Sequence, residues 1–392
     1  MSEWKEYKLG EIADVTPGFA FKSKDFGSKG ELVVKIKDII PPYIDLSNSD
    51  RVDLTNYDMD KLKKYLLSEG DYVVAMTGAT IGKVGKMKTH QKAFLNQRVA
   101  KIKAKEGFCD DFVYYSISGS DFQTFIQNNI DSNSAQENIS ANSIARFPVM
   151  LPSLDIQRCI ASILDSLDDK IDLLHRENAT LEQMAVTLYR QWFIVEAKED
   201  WKEGKLGDII DVKSGFAFKS SSFVDFGLYR LITIKAVQDG FLTLENADYI
   251  SEIPENIKDY CFLKEGDILL SLTGNVGRCC LVDRERLLLN QRVALLCAKD
   301  IKNWAFVYTL FRMQSMKIKL EEMAKGTAQP NLSPVELSNM QFEIPPTKLL
   351  EGFSETATPL LKKTLSNKKQ IQTLIQTRDE LLPRLMSDEI VL

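Results

Sequence analysis

Trp4-Lys5-Glu6-Tyr7-Lys8-Leu9-Gly10 returns as Trp201-Lys202-Glu203-Gly204-Lys205-Leu206-Gly207, and that repetition decides how the chain is built. Working outward, Gly18-Phe19-Ala20-Phe21-Lys22-Ser23 returns as Gly215-Phe216-Ala217-Phe218-Lys219-Ser220 at the same offset of 197. Glu69-Gly70-Asp71 returns as Glu265-Gly266-Asp267, and Leu95-Asn96-Gln97-Arg98-Val99-Ala100 as Leu289-Asn290-Gln291-Arg292-Val293-Ala294. The offset falls only from 197 to 193 along the chain, so a few short insertions separate the copies. A half-chain duplication implies two similar domains related by approximate two-fold symmetry, with binding surfaces of related shape.

Each copy divides into two parts. Residues 1–152 and 198–346 read as β-rich: the segments 32–37, 71–76, 98–103 and 267–272 are short apolar runs bounded by glycine and polar turns. Helices are expected near residues 110–129 and 302–325. Residues 153–197 and 347–392 carry a different period. Apolar residues recur in alternating steps of four and three at Ile160, Leu164, Leu167, Ile171, Leu174, Leu181, Ala185, Leu188 and Trp192, with Asn178 in the one polar slot. Shifted by 193, the second seam is Phe353, Ala357, Leu360, Thr364, Asn367, Ile371, Leu374, Arg378, Leu381 and Leu385.

Pro152-Ser153 and Pro345-Pro346-Thr347 start the two helices, and Pro383 is expected to end or kink the last turn of the second. A helix of roughly 40 residues is about 60 Å long and cannot bury its own seam, so the duplication supplies the partner. The expected architecture is α+β: two similar β-rich domains separated by two long antiparallel coiled-coil helices, with internal pseudo-two-fold symmetry. Asn178 and Asn367 are expected to meet and fix the register of the pair.

Composition bounds the function. The chain has 392 residues, 44% apolar and 27% charged, enough for two or three domains with their own cores. No run approaches a membrane span and MSEWKEYKLG has no secretory h-region, so a cytoplasmic protein without membrane contact is expected. Six cysteines without a C-x-x-C spacing, and two histidines, argue for buried thiols over a metal or disulfide framework. The net charge is −5, yet residues 83–105 hold eight Lys or Arg and no carboxylate. The matching Arg278, Arg284, Arg286, Arg292 and Lys299 are diluted by Asp283 and Glu285. A basic run of this kind is either a nucleic-acid footprint or a solvated strand edge.

Catalytic signatures are missing. Ile40-Pro41-Pro42-Tyr43 places an isoleucine where an amino-methyltransferase needs Asn or Asp to accept from the amine. There is no G-x-G turn, and Gly78-Ala79-Thr80-Ile81-Gly82-Lys83 is one residue short of a phosphate-binding loop, with Val84 in the Ser/Thr place. No Pro-Asp dipeptide begins a nuclease carboxylate cluster, and His90 and His175 stand apart.

These residues together resemble the specificity (S) subunit of Type I restriction–modification systems. The resemblance rests on the Trp-Lys-x-x-Lys-Leu-Gly openings, the Gly-Phe-Ala-Phe-Lys-Ser loops and the Thr77-Gly78 and Thr273-Gly274 turns. It rests too on Leu-Asn-Gln-Arg, Gln136-Glu137-Asn138-Ile139-Ser140 and Gln329-Pro330-Asn331-Leu332-Ser333. Leu188-Tyr189-Arg190-Gln191-Trp192-Phe193 is similar to the end of the family's central helix. Leu381-Leu382-Pro383-Arg384-Leu385-Met386-Ser387 is similar to that of its C-terminal one, with Asp388 where glycine is usual. The resemblance covers nearly the whole chain.

It implies two target-recognition domains, each reading half of a split, non-palindromic site on double-stranded DNA about one helical turn apart. It implies no catalytic site or cofactor on this chain. Two modification subunits would methylate adenine N6 with S-adenosylmethionine, and restriction/translocase subunits would cleave with ATP and Mg. The alternative is a coiled-coil scaffold with two protein-binding domains and no DNA role, separable by the salt dependence of DNA binding.

Phosphate or base contacts are expected from Lys22, Ser23 and Lys24 with Lys219, Ser220 and Ser221, because a Gly-led loop ending in Lys-Ser suits phosphate positioning. The Thr-Gly turns add Thr77, Thr80, Lys83, Thr273, Asn275 and Arg278, and the basic run adds Lys86 and Lys88. Arg98 and Arg292 either contact DNA or brace the domain through a carboxylate. Residues shared by both copies should do common work. Base-reading residues belong in the divergent segments 27–63 and 224–257.

Overall fold

The computed structural model describes residues 4–130, 137–197, 201–244, 247–325, 330–387 and 389–390. It separates into two compact units, residues 1–169 with 375–392, and residues 170–374. The long helices Leu154–Arg190 and Thr347–Met386 therefore each contribute a stretch to both units.

In the first unit, strand Tyr72–Ala75 is buried at all four positions, as an unbroken apolar run requires of a central strand. It lies between Val99–Ala104 and Val84–Lys86, both antiparallel to it. Val99–Ala104 also pairs with Ala13–Pro17. A second sheet has the order Phe26–Gly27, Asp50–Val52, Glu31–Val34, Ala93–Leu95, Leu66–Leu67, with Glu31–Val34 parallel to Ala93–Leu95. The motif Trp4-Lys5 opens a strand, Lys5–Lys8, that closes against Pro148–Leu151 at the far end of the domain.

The second unit repeats this plan. Ile210–Ser214, Val293–Ala298, Ile268–Ser271 and Cys279–Leu281 stand in the same order as their counterparts. The second sheet repeats as Phe223–Val224, Tyr249–Ile250, Tyr229–Ile232, Leu287–Leu289, Phe262–Leu263, with the parallel pair in the same place. Lys202–Lys205 pairs with Gln341–Ile344. Each expected strand is present, but the run 32–37 is strand only as far as Val34, and Ile36–Asp38 forms a 3-10 turn. Each expected helix is instead two: Asp110–Ser116 and Ser120–Asn128, then Trp304–Arg312 and Gln314–Ala324. Gly119 and Met313, both in extended backbone, make the breaks.

The seams behave as the period dictates, since none of their positions is exposed. In the first unit Ile160 and Leu164 share a core with Leu381 and Leu385. In the second, the pair runs antiparallel from Asn178 against Asn367 to Tyr189 and Trp192 against Phe353. Asn367 is 1% exposed, and its amide donates to Asn178 Oδ1 at 2.9 Å and to Glu177 at 2.9 Å. Only the in-register pairing gives the buried Asn367 Nδ2 its two acceptors, so the contact specifies alignment. Pro383 stands just before its helix ends at Met386. It falls within the last turn, where few backbone bonds remain to be lost.

Candidate nucleic-acid interface

Asn96 folds back on its own chain in the first unit. Its Oδ1 accepts from the Arg98 N–H at 3.3 Å, and its carbonyl accepts from Val99 N–H at 2.9 Å. The resulting turn throws Gln97 and Arg98 outward, and both are exposed. Three other motifs join this turn through the backbone. Phe19 N–H donates to Leu95 O and Phe19 O accepts from Gln97 N–H, both at 2.9 Å. Met76 N–H donates to Arg98 O at 2.9 Å. Ile139 N–H then donates to Met76 O at 2.9 Å, and Gly78 N–H to Glu137 O at 3.0 Å.

The second unit reproduces the row bond for bond. Phe216 N–H donates to Leu289 O at 2.9 Å, and Gln291 N–H to Phe216 O at 3.0 Å. Leu272 N–H donates to Arg292 O at 3.1 Å, Leu332 N–H to Leu272 O at 2.8 Å, and Gly274 N–H to Pro330 O at 3.1 Å. Four motifs scattered over more than a hundred residues thus meet as one hydrogen-bonded row in each unit.

The glycines are explained by this closeness. A Cβ on Gly18 would lie 2.2 Å from Asn96 O, and one on Gly215 2.4 Å from Asn290 O. Gly78 and Gly274 hold φ of 73° and 71°, a left-handed turn that a side chain would strain.

The predicted residues separate into three groups. Arg98, Arg292, Lys83 and Asn275 are exposed on the row or its Thr-Gly turns. Both arginines are exposed, and neither has a carboxylate partner among the described residues. Lys22, Ser23, Lys24, Lys219, Ser220 and Ser221 are also exposed, on the matching 3-10 turns Ser23–Asp25 and Ser220–Ser222 that follow the row's glycine loops. Thr77, Thr80 and Thr273 point inward: the Thr77 and Thr80 hydroxyl oxygens are buried, and Thr273 Oγ1 bonds Asn331 Oδ1 at 2.7 Å. They shape the turns from within. Arg278 is half-buried and donates to Gln238.

Lys86 and Lys88 are placed elsewhere. Lys86 Nζ lies 2.8 Å from Asp111 and 3.5 Å from Asp165, and Lys88 Nζ 2.6 Å from Asp169. Burial works to raise the Asp111 carboxyl, but bonds from Lys86 and Tyr72 outweigh it and hold the pKa below the usual value. Asp165 rises instead, through burial and then the charge of Asp111. Lys101, Lys103 and Lys105 likewise have Asp71, Asp110 and Asp14 within 4.0 Å. The basic run of the sequence is therefore not one positive face. Its carboxylate partners come from distant segments, and Lys83, Lys92 and Arg98 are left as its unpaired cations among the described residues.

Sequence reasoning passed over Gln97 and Gln291, which the Asn turns expose beside the arginines. The repeated Leu-Asn-Gln-Arg motif was the available signal. Gln136, Gln329 and Asp388 lie outside the described residues. Among those described, no cluster of side chains could hold a metal ion, and no helix is long and apolar enough to cross a membrane.

The family described as "Type I restriction modification DNA specificity domain" matches residues 1–183 and again 198–376. The Type I restriction enzyme MjaIX specificity subunit of Methanocaldococcus jannaschii is 25% identical, covering 99% of this chain and 94% of that protein. The Type I restriction enzyme EcoBI specificity subunit of Escherichia coli is 24% identical, covering 87% of this chain and 76% of that protein. In fold, the chain is similar to the crystal structure of a Type-I restriction-modification system S subunit from M. genitalium. The TM-score is 0.59 with 16% identity, covering 98% of this chain and 96% of that one. With two copies of the matching domain along its length, the chain belongs to the Type I restriction–modification DNA specificity family, as a specificity subunit that recognises DNA sequence.

Proposed function

We propose that each unit reads one half of a split, asymmetric site on double-stranded DNA. The chain thereby directs two modification subunits to methylate adenine N6, and restriction/translocase subunits to cleave. S-adenosylmethionine, ATP and Mg would all be held by those partners. The observation that carries this reading is the row present in both units, with the same backbone bonds and the same outward Gln-Arg pair. Identical rows suit the work common to both half-sites, which is holding the sugar-phosphate backbone. Lys22, Ser23, Lys24, Lys83 and Arg98 would do this in the first unit, and Lys219, Ser220, Ser221, Asn275 and Arg292 in the second. Lys86, Lys88 and Arg278, paired within the protein, would each brace the unit they belong to.

Modified-base sequencing of the host genome with and without the gene tests this. Loss of N6-methyladenine at one split motif is expected, whereas an unchanged methylome beside intact partner genes would favour the scaffold. In the assembled complex, Arg98→Ala and Arg292→Ala should each weaken binding to the target duplex. Each should also reduce the slope of log affinity against log salt by about one, as loss of a single phosphate contact does. An unchanged slope in both variants would remove the row from the interface.

A further inference from the structure

Strand register equates Val33 with Leu231 and Val34 with Ile232, because each pair lies opposite the same motif strand. Carried along at that spacing, Lys35, Lys37 and Asp50 of the first unit correspond to Thr233, Lys235 and Asp248 of the second. Both carboxylates stand at the row. Asn96 N–H donates to Val34 O and Asn290 N–H to Ile232 O, both at 3.1 Å. Asp50 pairs across the sheet with Val33, and Leu231 N–H donates to Asp248 O at 2.8 Å.

Their surroundings differ. Asp50 is held by two ammonium groups, Lys35 Nζ at 2.6 Å and Lys37 Nζ at 2.9 Å. Lys37 also donates to Asn48 O at 3.1 Å, and Lys35 lies over the Phe26 ring. In the second unit the carboxylate is kept while Lys35 is replaced by threonine. Asp248 is exposed and has no cationic partner among the described residues. An exposed, unneutralised carboxylate beside a phosphate-binding row repels the polyanion unless it meets a donor. On the edges of base pairs the available donors are the exocyclic amines.

We propose that Asp248 is a base-reading residue of the second unit, accepting a hydrogen bond from the exocyclic amine of a cytosine or adenine. Its counterpart Asp50 is silenced by Lys35 and Lys37, which hold its carboxylate. The two units thus differ in specificity at a matched position, although they share the row. This inference rests on the proposed recognition of a split site.

The test uses the assembled complex in cells, with methylated motifs read by modified-base sequencing. Asp248→Ala removes the acceptor, and Thr233→Lys supplies the ammonium that Lys35 supplies in the first unit. Both are expected to relax the same single C or A position, with discrimination falling roughly tenfold or more. That position should lie in one half-site only, the same for both variants, and the other half-site should stay unchanged. An unchanged motif would overturn the inference, as would relaxation at different positions or a uniform fall in methylation across both halves. Asp248→Asn, which keeps the shape of an exposed side chain, guards against a folding artefact; complete loss of methylation in that variant also counts against the inference. A wild-type genome with no split motif would instead sink the underlying reading, before any variant is compared.

Discussion

Replacing Arg378 with alanine is expected to destabilise the first unit by about 3–5 kcal/mol, the cost of stranding a buried charge. Arg378 Nη1 lies 2.8 Å from Asp168 Oδ1, and the Asp168 side chain is only 8% exposed. Asp168 Oδ2 accepts from the Tyr115 hydroxyl at 2.9 Å. Burial alone would lower the guanidinium pKa, but its bonds to Asp168 and Asp379 raise it above its ordinary value, so Arg378 stays charged across the working range. With the guanidinium gone, Asp168 keeps one neutral donor in place of a full counter-charge. Denaturant or thermal unfolding of the chain measures the loss. Asp168→Asn combined with Arg378→Met should be milder than Arg378→Ala alone, because it removes both charges together. A cost below about 1 kcal/mol for Arg378→Ala would mean that the pair behaves as a solvated surface bridge.

Phe353→Ala is expected to destabilise the second unit by a similar amount, about 3–5 kcal/mol, through a different mechanism. Phe353 is fully buried and meets four rings edge-on: Phe193 at 5.2 Å, Tyr189 at 6.0 Å, Trp192 at 6.1 Å and Phe306 at 6.3 Å between centroids. Truncation opens a cavity whose aromatic walls are held by their own neighbours and collapse poorly. Phe353→Leu refills much of the space and should recover more than half of the loss. Equal destabilisation by both variants would show that ring geometry, and not volume, dominates. The five-residue π turn Gln191–Val195 contributes to this cluster, presenting Trp192 and Phe193 to the same ring.

The interface was legible in part, for reasons that differ residue by residue. Arg98 and Arg292 can be selected from a repeated motif, but that the Asn96 and Asn290 turns leave both side chains exposed is read only from the structure. For Lys86, a run of like charge along the chain says nothing about what lies across from it. Asp111 and Asp165, its partners, are 25 and 79 residues away. The helices near 110–129 and 302–325 were visible as helical, but their breaks were not. Gly119 and Met313 turn there to pack two short helices on one sheet, which local propensity does not encode.

By itself, the sequence determined the duplication, the apolar central strands, the two seams and the meeting of Asn178 with Asn367. Each of these is a periodic or repeated pattern, and burial of a periodic apolar face leaves one arrangement favoured over the rest. Only the tertiary structure decided that four motifs form one row, that five of eight clustered cations are spoken for, and that Asp50 has cationic partners while Asp248 has none among the described residues. Those outcomes depend on hydrogen bonds and ion pairs between segments far apart in the chain. Their partners exist only once the chain has closed on itself.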